Sequence, residues 1–259
     1  GWQAAEGAGL AQAGGTLVVA PLFQVAAPAA ARCTSPGVPA AQPGELLWTC
    51  ASWQEGAPSA SQPEVTAIGA LDALVAHLAV QWPSLRQVTI AGFSAGAQLV
   101  QRAAGFMADP PAGIALRFVV ADPGSWLSFD RDWPLADAST CPAARRWKYG
   151  IEGLPAWLGR DAATARARYA RADLHYLEGA RDSSDVRGTA YGALDRSCAA
   201  LAQGPYRLQR GLAYAAYDRA RLAPALARQV VVVPGCAHDV RCVLPHPVAR
   251  EALFGTPTH

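Results

Sequence analysis

Five short apolar runs of strand length, β-branched or aromatic in character, recur along the chain. They are Thr16–Ala20 (TLVVA), Gln87–Ala91 (QVTIA), Arg117–Ala121 (RFVVA), Asp173–Leu177 (DLHYL) and Gln229–Val233 (QVVVV). Between them lie stretches of helical periodicity at Glu64–Gln81, Ala95–Met107, Arg160–Arg171 and Leu194–Leu222. A strand that is apolar on both faces must be covered on both, and the intervening helices supply the covers. The pattern predicts an α/β layer fold, a mostly parallel sheet flanked by helices. Residues 24–63, rich in Pro, Ala, Ser and Gly, read as a long excursion between elements. Residues 123–159 carry four of the eight tryptophans (Trp126, Trp133, Trp147, Trp157) between two strands and are expected to form a cap or lid. No internal repeat or linker interrupts the chain, so 1–259 is read as one domain.

Composition narrows the classes. At 259 residues the chain can enclose a sizeable core. With 51% hydrophobic and 16% charged residues it is neither disordered nor a solvated helical rod. No apolar run approaches the roughly 18–20 residues of a membrane span, so none is expected. Gly1 is not followed by a basic and then an apolar signal segment. The net charge of +2 gives no argument for nucleic acid. That charge is uneven: 1–130 holds four basic against eight acidic side chains, and 131–259 holds eighteen against twelve. Much of the basic excess is arginine at helical spacing, at 160, 166, 168 and 171 and at 207, 210, 219 and 221. These arginines are expected on solvated helix faces, with a positive surface for an anionic substrate as the alternative.

The six cysteines, Cys33, Cys50, Cys141, Cys198, Cys236 and Cys242, include no CxxC spacing of a zinc site. Their even number fits three disulfides formed outside the cytosol, in a secreted or periplasmic protein. Six cysteines allow fifteen pairings. The expected one is Cys33–Cys50, Cys141–Cys198 and Cys236–Cys242, since the first and last close short loops.

The sharpest chemical signal is Gly92-Phe93-Ser94-Ala95-Gly96, a GxSxG pattern directly after QVTIA and directly before AQLVQRAAGFM. Strand, tight turn and helix are the setting of a nucleophile elbow, in which small residues let the strained turn pack against neighbouring backbone. Ser94 is the expected nucleophile, and the Ala95 N–H at the helix start is the expected first oxyanion donor. A hydroxyl needs a base, and His238 in VVVPGCAHDV, just past the last strand run, is in position to be one. His77, His175, His246 and His259 are worse placed. The acid is expected to be Asp182 in YLEGARDSSD, with Asp185 and Asp122 as rivals. Each of these residues has an ordinary structural alternative: a helix cap for Ser94, a loop histidine, a turn aspartate.

The Ser–Asp–His order on these strands resembles the α/β-hydrolase superfamily, and more narrowly a group of secreted microbial serine hydrolases that includes polyester depolymerases. The resembling pieces are APLF (20–23), LLWTCASWQEG (47–56), GFSAGAQLVQRAA (92–104), ADPGSWLSFD (121–130), CPAARRWKYGIEGLP (141–155) and LDRSCAALAQGPYRLQR (194–210). The resemblance implies Ser94, Asp182 and His238 as a triad and acyl transfer of the esterase or depolymerase type. That superfamily places a strand ending in a His-Gly-type turn before its first helix, and this turn gives the second oxyanion N–H. Here GWQAAEGAGLAQAGG looks like that helix and leads directly into TLVVA. The strand before it is therefore expected to come from a segment outside 1–259 or from a second copy, unless TLVVA takes its place and the Leu22–Phe23 backbone supplies the donor. Phe23, Phe93 and Trp126 are candidates for an apolar substrate pocket. A serine amidase acting on an anionic polyamide such as poly(aspartic acid), and a non-catalytic binding module, remain as alternatives. No phosphate-binding glycine loop or metal cluster occurs, so no cofactor or metal is expected.

Overall fold

The computed structural model describes residues 15–33, 37–133 and 140–255. The proposed first helix in residues 1–15 lies almost wholly outside them. In chain order the elements are β1 (Gln24–Val25), α1 (Ala27–Cys33), β2 (Leu47–Trp48), α2 (Ala67–Gln81), β3 (Gln87–Phe93), α3 (Ala95–Phe106), β4 (Ala115–Ala121), α4 (Ala162–Arg171) and β5 (Asp173–Gly179). They continue with α5 (Cys198–Leu201), α6 (Arg207–Tyr217), β6 (Val230–Val233), α7 (Val240–Val243) and α8 (Arg250–Phe254). The central sheet runs β3-β4-β5-β6, every pair parallel. β1 and β2 form a separate parallel pair. This is the α/β layer architecture that the alternating runs predict, with three disulfides, Cys33–Cys50, Cys141–Cys198 and Cys236–Cys242.

Four of the five apolar runs become sheet strands. Thr16–Ala20 does not: it pairs with neither sheet, and Leu17 and Val19 are exposed. Apolar periodicity reports extended backbone but not whether a partner edge is within reach. Among the described residues β3 is therefore an edge of the four-stranded sheet.

Helix boundaries follow local chemistry. Thr66 caps α2 by accepting the Gly69 N–H at 2.8 Å, and Asp161 caps α4 by accepting the Thr164 N–H at 2.9 Å. The stretch expected as one helix over Leu194–Leu222 is broken into α5 and α6. Pro205 cannot donate to a preceding turn, and Gly204 takes φ 143° beside it. The arginines of α6 also differ from the solvated face expected of them. Arg207 and Arg210 are buried, the latter donating to the carbonyls of Gly124, Asp195 and Gly204. Arg219 and Arg221 remain exposed.

The main core surrounds α3, which packs on β3, β4 and α4 and is buried from Ala97 to Phe106. The 123–159 segment sends its aromatic side chains down into this core. Trp126 is fully buried, stacked on Tyr214 at 4.3 Å, with its backbone held at both ends by Gln203 at 2.8 Å. A ring so enclosed offers no surface to a ligand, which corrects its expected place in a substrate pocket. Trp126→Ala should cost about 3–5 kcal/mol of unfolding free energy in urea. A stable variant with weakened substrate binding would restore the pocket role.

Candidate active site

Parallel strands end on one side of the sheet, and the loops after β3, β4, β5 and β6 meet there. Backbone bonds stitch these ends together. Ser94 N–H donates to Ala121 O, Asp122 N–H to Leu177 O, and Ala180 N–H to Val233 O, each at 2.9 Å. The ladder thus continues one residue beyond each strand and fixes where the next side chain emerges.

Ser94 follows β3 directly and carries φ 56° and ψ −116°, a conformation unusual for any residue but glycine. The turn is as tight as the sequence pattern requires. A Cβ on Gly92 would lie 2.3 Å from the carbonyl oxygen of Gly96. A Cβ on Gly96 would meet nothing within 4 Å, so only the first glycine of the pattern is demanded by close approach. Ala95 opens α3, where helix geometry leaves its N–H without a partner inside the helix.

His238 Nε2 lies 2.9 Å from Ser94 Oγ, and His238 Nδ1 lies 2.7 Å from Asp182 Oδ2. The three side chains form one hydrogen-bonded line from half-buried serine to fully buried carboxylate. Asp185 is exposed on the same loop. The loops that carry Asp182 and His238 are anchored. His238 N–H donates to Gly188 O at 3.2 Å, Arg181 N–H to Cys236 O at 2.8 Å, and Leu208 N–H to Asp182 O at 3.1 Å. The Cys236–Cys242 bridge closes the turn around His238. Phe93 packs its ring on the imidazole at 4.7 Å. Phe23 stacks on Trp53 at 5.6 Å and meets Trp48 edge-on at 5.2 Å. Gln54, next to Trp53, accepts from Gln98 one turn past Ser94, which ties the Phe23 segment to the start of α3.

Three more residues lie beside this line: Asp122, a rival for the acid in the sequence, and Arg207 and Glu178, which the sequence did not single out for this place. Arg207 Nη1 reaches Asp182 Oδ1 at 3.4 Å and donates to Thr189 O at 2.8 Å. A cation at the first position of a helix opposes the helix dipole, and that was the available signal of an acidic partner. Asp122, at φ 47°, accepts the Gly179 N–H at 2.8 Å. Burial pushes its pKa up to about 6, against the pull of that N–H. Glu178 is fully enclosed, and burial, reinforced by Asp122, pushes its pKa well above the usual carboxylate range.

Among the described residues, Asp122, Asp182 and His238 bring metal-ligand-type atoms within 4.8 Å of one another. Both imidazole nitrogens are engaged with Asp182 and Ser94, so the arrangement is built for proton transfer and would have to break to ligate an ion. A separate cavity of about 660 Å³ lies between α1 and β2, lined by Ala26, Arg32, Trp48 and Cys50 among others, and includes none of these residues.

No protein-family model matches the chain, and no curated protein sequence matches it. Solved structures do. A poly(aspartic acid) hydrolase-1 from Sphingomonas sp. KT-1 aligns at TM-score 0.54 and 24% identity over 73% of this chain and 66% of that one. A poly(3-hydroxybutyrate) depolymerase from Bordetella parapertussis aligns at TM-score 0.54 and 24% identity over 73% of this chain and 60% of that one. The fold is that of an α/β hydrolase. The chain spans less than two thirds of the second protein's length and close to two thirds of the first's.

Asp122 sets a pH dependence for this α/β-hydrolase fold. Its pKa rises from 3.8 to about 6 on folding, so in that window the folded form holds more protons than the unfolded chain. Stability from this group is complete below the lower value and is lost as pH rises through the upper one. In Asp122→Asn the melting temperature should fall less between pH 4 and 6 than in the wild type. An identical slope in thermal unfolding would show that Asp122 does not titrate there.

Proposed function

We propose that the chain is a secreted or periplasmic serine hydrolase that cleaves carboxylic esters, polyesters among them, through an acyl-enzyme on Ser94. The observation that carries this reading is the continuous line Ser94–His238–Asp182 at 2.9 and 2.7 Å. The three disulfides support an oxidising compartment. In this reading 1–259 works as one α/β-hydrolase domain.

The steps follow from the geometry. His238 Nε2 takes the Ser94 proton as Oγ attacks the substrate carbonyl. Asp182, bonded to Nδ1, holds the tautomer that leaves Nε2 free to accept and stabilises the imidazolium that results. The Ala95 N–H, backed by the α3 dipole, faces the developing oxyanion, and the Phe23 N–H is the proposed second donor. The imidazolium then protonates the leaving alcohol, and water, activated by the same imidazole, releases the acid. The Phe93 ring, packed on His238, is the proposed apolar contact for the substrate.

A second reading, hydrolysis of an anionic polyamide, is favoured by the poly(aspartic acid) hydrolase among the structural neighbours. Arg181, Arg187 and Arg241 are exposed on the loops that carry Asp182 and His238, against Asp185 and Asp239 there. A binding module without catalysis has no comparable support, because the hydrogen-bonded line is complete.

Hydrolysis of p-nitrophenyl esters should fall by at least about 1000-fold in Ser94→Ala. A fluorophosphonate probe should label the wild type and not the variant. Folded wild-type protein that neither labels nor turns over ester would sink the reading. In parallel assays, ester turnover exceeding polyaspartate cleavage favours the first substrate class. Salt-sensitive polyaspartate cleavage with poor ester turnover favours the second.

A further inference from the structure

Glu178 is the second-last residue of β5, and no part of its side chain is exposed. α6 crosses so closely that a Cβ on Gly211 would sit 2.1 Å from its Oε1, so the carboxyl group fits only because position 211 has no side chain. Taken as ionised, Glu178 and Asp122 leave three buried oxygens with no donor: both of Glu178 and Oδ2 of Asp122. The other Asp122 oxygen already accepts the Gly179 N–H. Leaving that many acceptors unpaired is costly, and the Glu178 and Asp122 carboxyl groups are close enough to hydrogen-bond to each other. A single proton held between them pairs two of the three, since one carboxyl group then donates and the other accepts, and it leaves the last Glu178 oxygen neutral.

The charges around the pair point to what this accomplishes. The titratable and charged groups that act on the two carboxyls are Asp182 after β5, Arg207 on α6 and His238 after β6. Arg207 balances one of the three carboxylates. With Glu178 also ionised, the buried group would carry two net negative charges; with one proton shared it carries one. One is the charge that an imidazolium on His238 would neutralise. Asp122 offers a carboxylate oxygen within 4.8 Å of a His238 nitrogen, on top of the direct Asp182 bond.

We propose that Glu178 is held as a neutral carboxylic acid whose proton is donated to Asp122, and that the Asp122 carboxylate so oriented is a second positioning acid for the His238 imidazolium. The assignment rests on the serine-hydrolase reading for its purpose but not for its measurement. No covalent step is involved: the proton stays within the carboxyl pair, and the protons that move in turnover are those His238 exchanges with Ser94, the leaving alcohol and water.

The test is an NMR titration of the His238 ring nitrogens, followed alongside the acid limb of kcat/KM for a p-nitrophenyl ester. Asp122→Asn removes a nearby negative charge, so the imidazolium loses its proton more readily and the His238 titration moves down by about half to one pH unit. The acid limb should move with it. Glu178→Met keeps the bulk and removes the donor that holds the Asp122 pKa down, so Asp122 takes up a proton itself and His238 should shift as in Asp122→Asn. Glu178→Gln restores a donor and should return both readouts to the wild-type position. Difference infrared spectra of the wild type at neutral pH should contain a protonated-carboxyl band that is lost in Glu178→Gln. An unshifted His238 titration in folded Asp122→Asn, an absent band, or equal behaviour of the Met and Gln variants would overturn the proposal. Shifted titration without ester hydrolysis in any form would remove the hydrolase reading and leave the Asp122–His238 coupling standing. Normal hydrolysis with unshifted titration would do the reverse.

Discussion

The parallel register of four strands is the constraint on which everything else in this molecule depends. Pairing aligns Phe93 with Ala121, Ala121 with Leu177, and Gly179 with Val233, so the chain leaves β3, β4 and β5 at nearly one level. Ser94 and Asp122, which follow their strands directly, and Asp182, three residues past β5, are then within a side chain's reach of a single point. An antiparallel strand at any of these positions would deliver its loop to the opposite end. Backbone bonds carried one residue past the strands convert this topological convergence into ångström-level placement, because a ladder bond fixes both the distance and the direction of the following side chain.

That edge is expensive in charge, and α6 is what makes it tolerable. Asp122, Glu178 and Asp182 are all buried at this edge, and the helix returns Arg207 to Asp182 and gives way at Gly211 to admit Glu178. Breaking a buried pair costs more than forming it gains, so α6 is coupled to the carboxylates for stability and to the Ser94 site for geometry. Tyr214, three residues after Gly211, continues the same helix into the aromatic core, where it stacks on Trp126. A shift of α6 would therefore disturb the packing of the 123–159 segment and the orientation of Asp182 together.

Legibility in the sequence followed the range of the interactions involved. The runs QVTIA, RFVVA, DLHYL and QVVVV could be read as strands because a buried strand has to be apolar wherever its partners are. Ser94, Asp182 and His238 could be proposed for the same reason, since each lies just beyond one of those runs, and the structure brings the three into one hydrogen-bonded line. TLVVA has the same local character but no strand edge to join, which no window of five residues can reveal. Arg207 and Arg210 looked like a solvated face because the acid and carbonyls that bind them come from positions as distant as 124 and 182. Glu178 was hidden more deeply. A glutamate at a strand end is ordinarily exposed, and what makes it buriable is a glycine at 211 on a helix that the periodicity over 194–222 merged with α5.

A local motif therefore names the atoms of such a site without fixing their protonation. Ser94, His238 and Asp182 would make the same line in a cluster with any number of further carboxylates behind it, yet the imidazole's willingness to accept a proton depends on the sum of those charges. In this molecule that sum is set by the closeness of α6 to β5. Packing that leaves room for a glutamate but none for water favours the protonated acid, and a protonated acid leaves the buried edge one negative charge short of what its carboxyl groups would otherwise hold. Core packing and acid–base chemistry are then one constraint, because the contact that excludes solvent from Glu178 also determines how much negative charge stands behind His238.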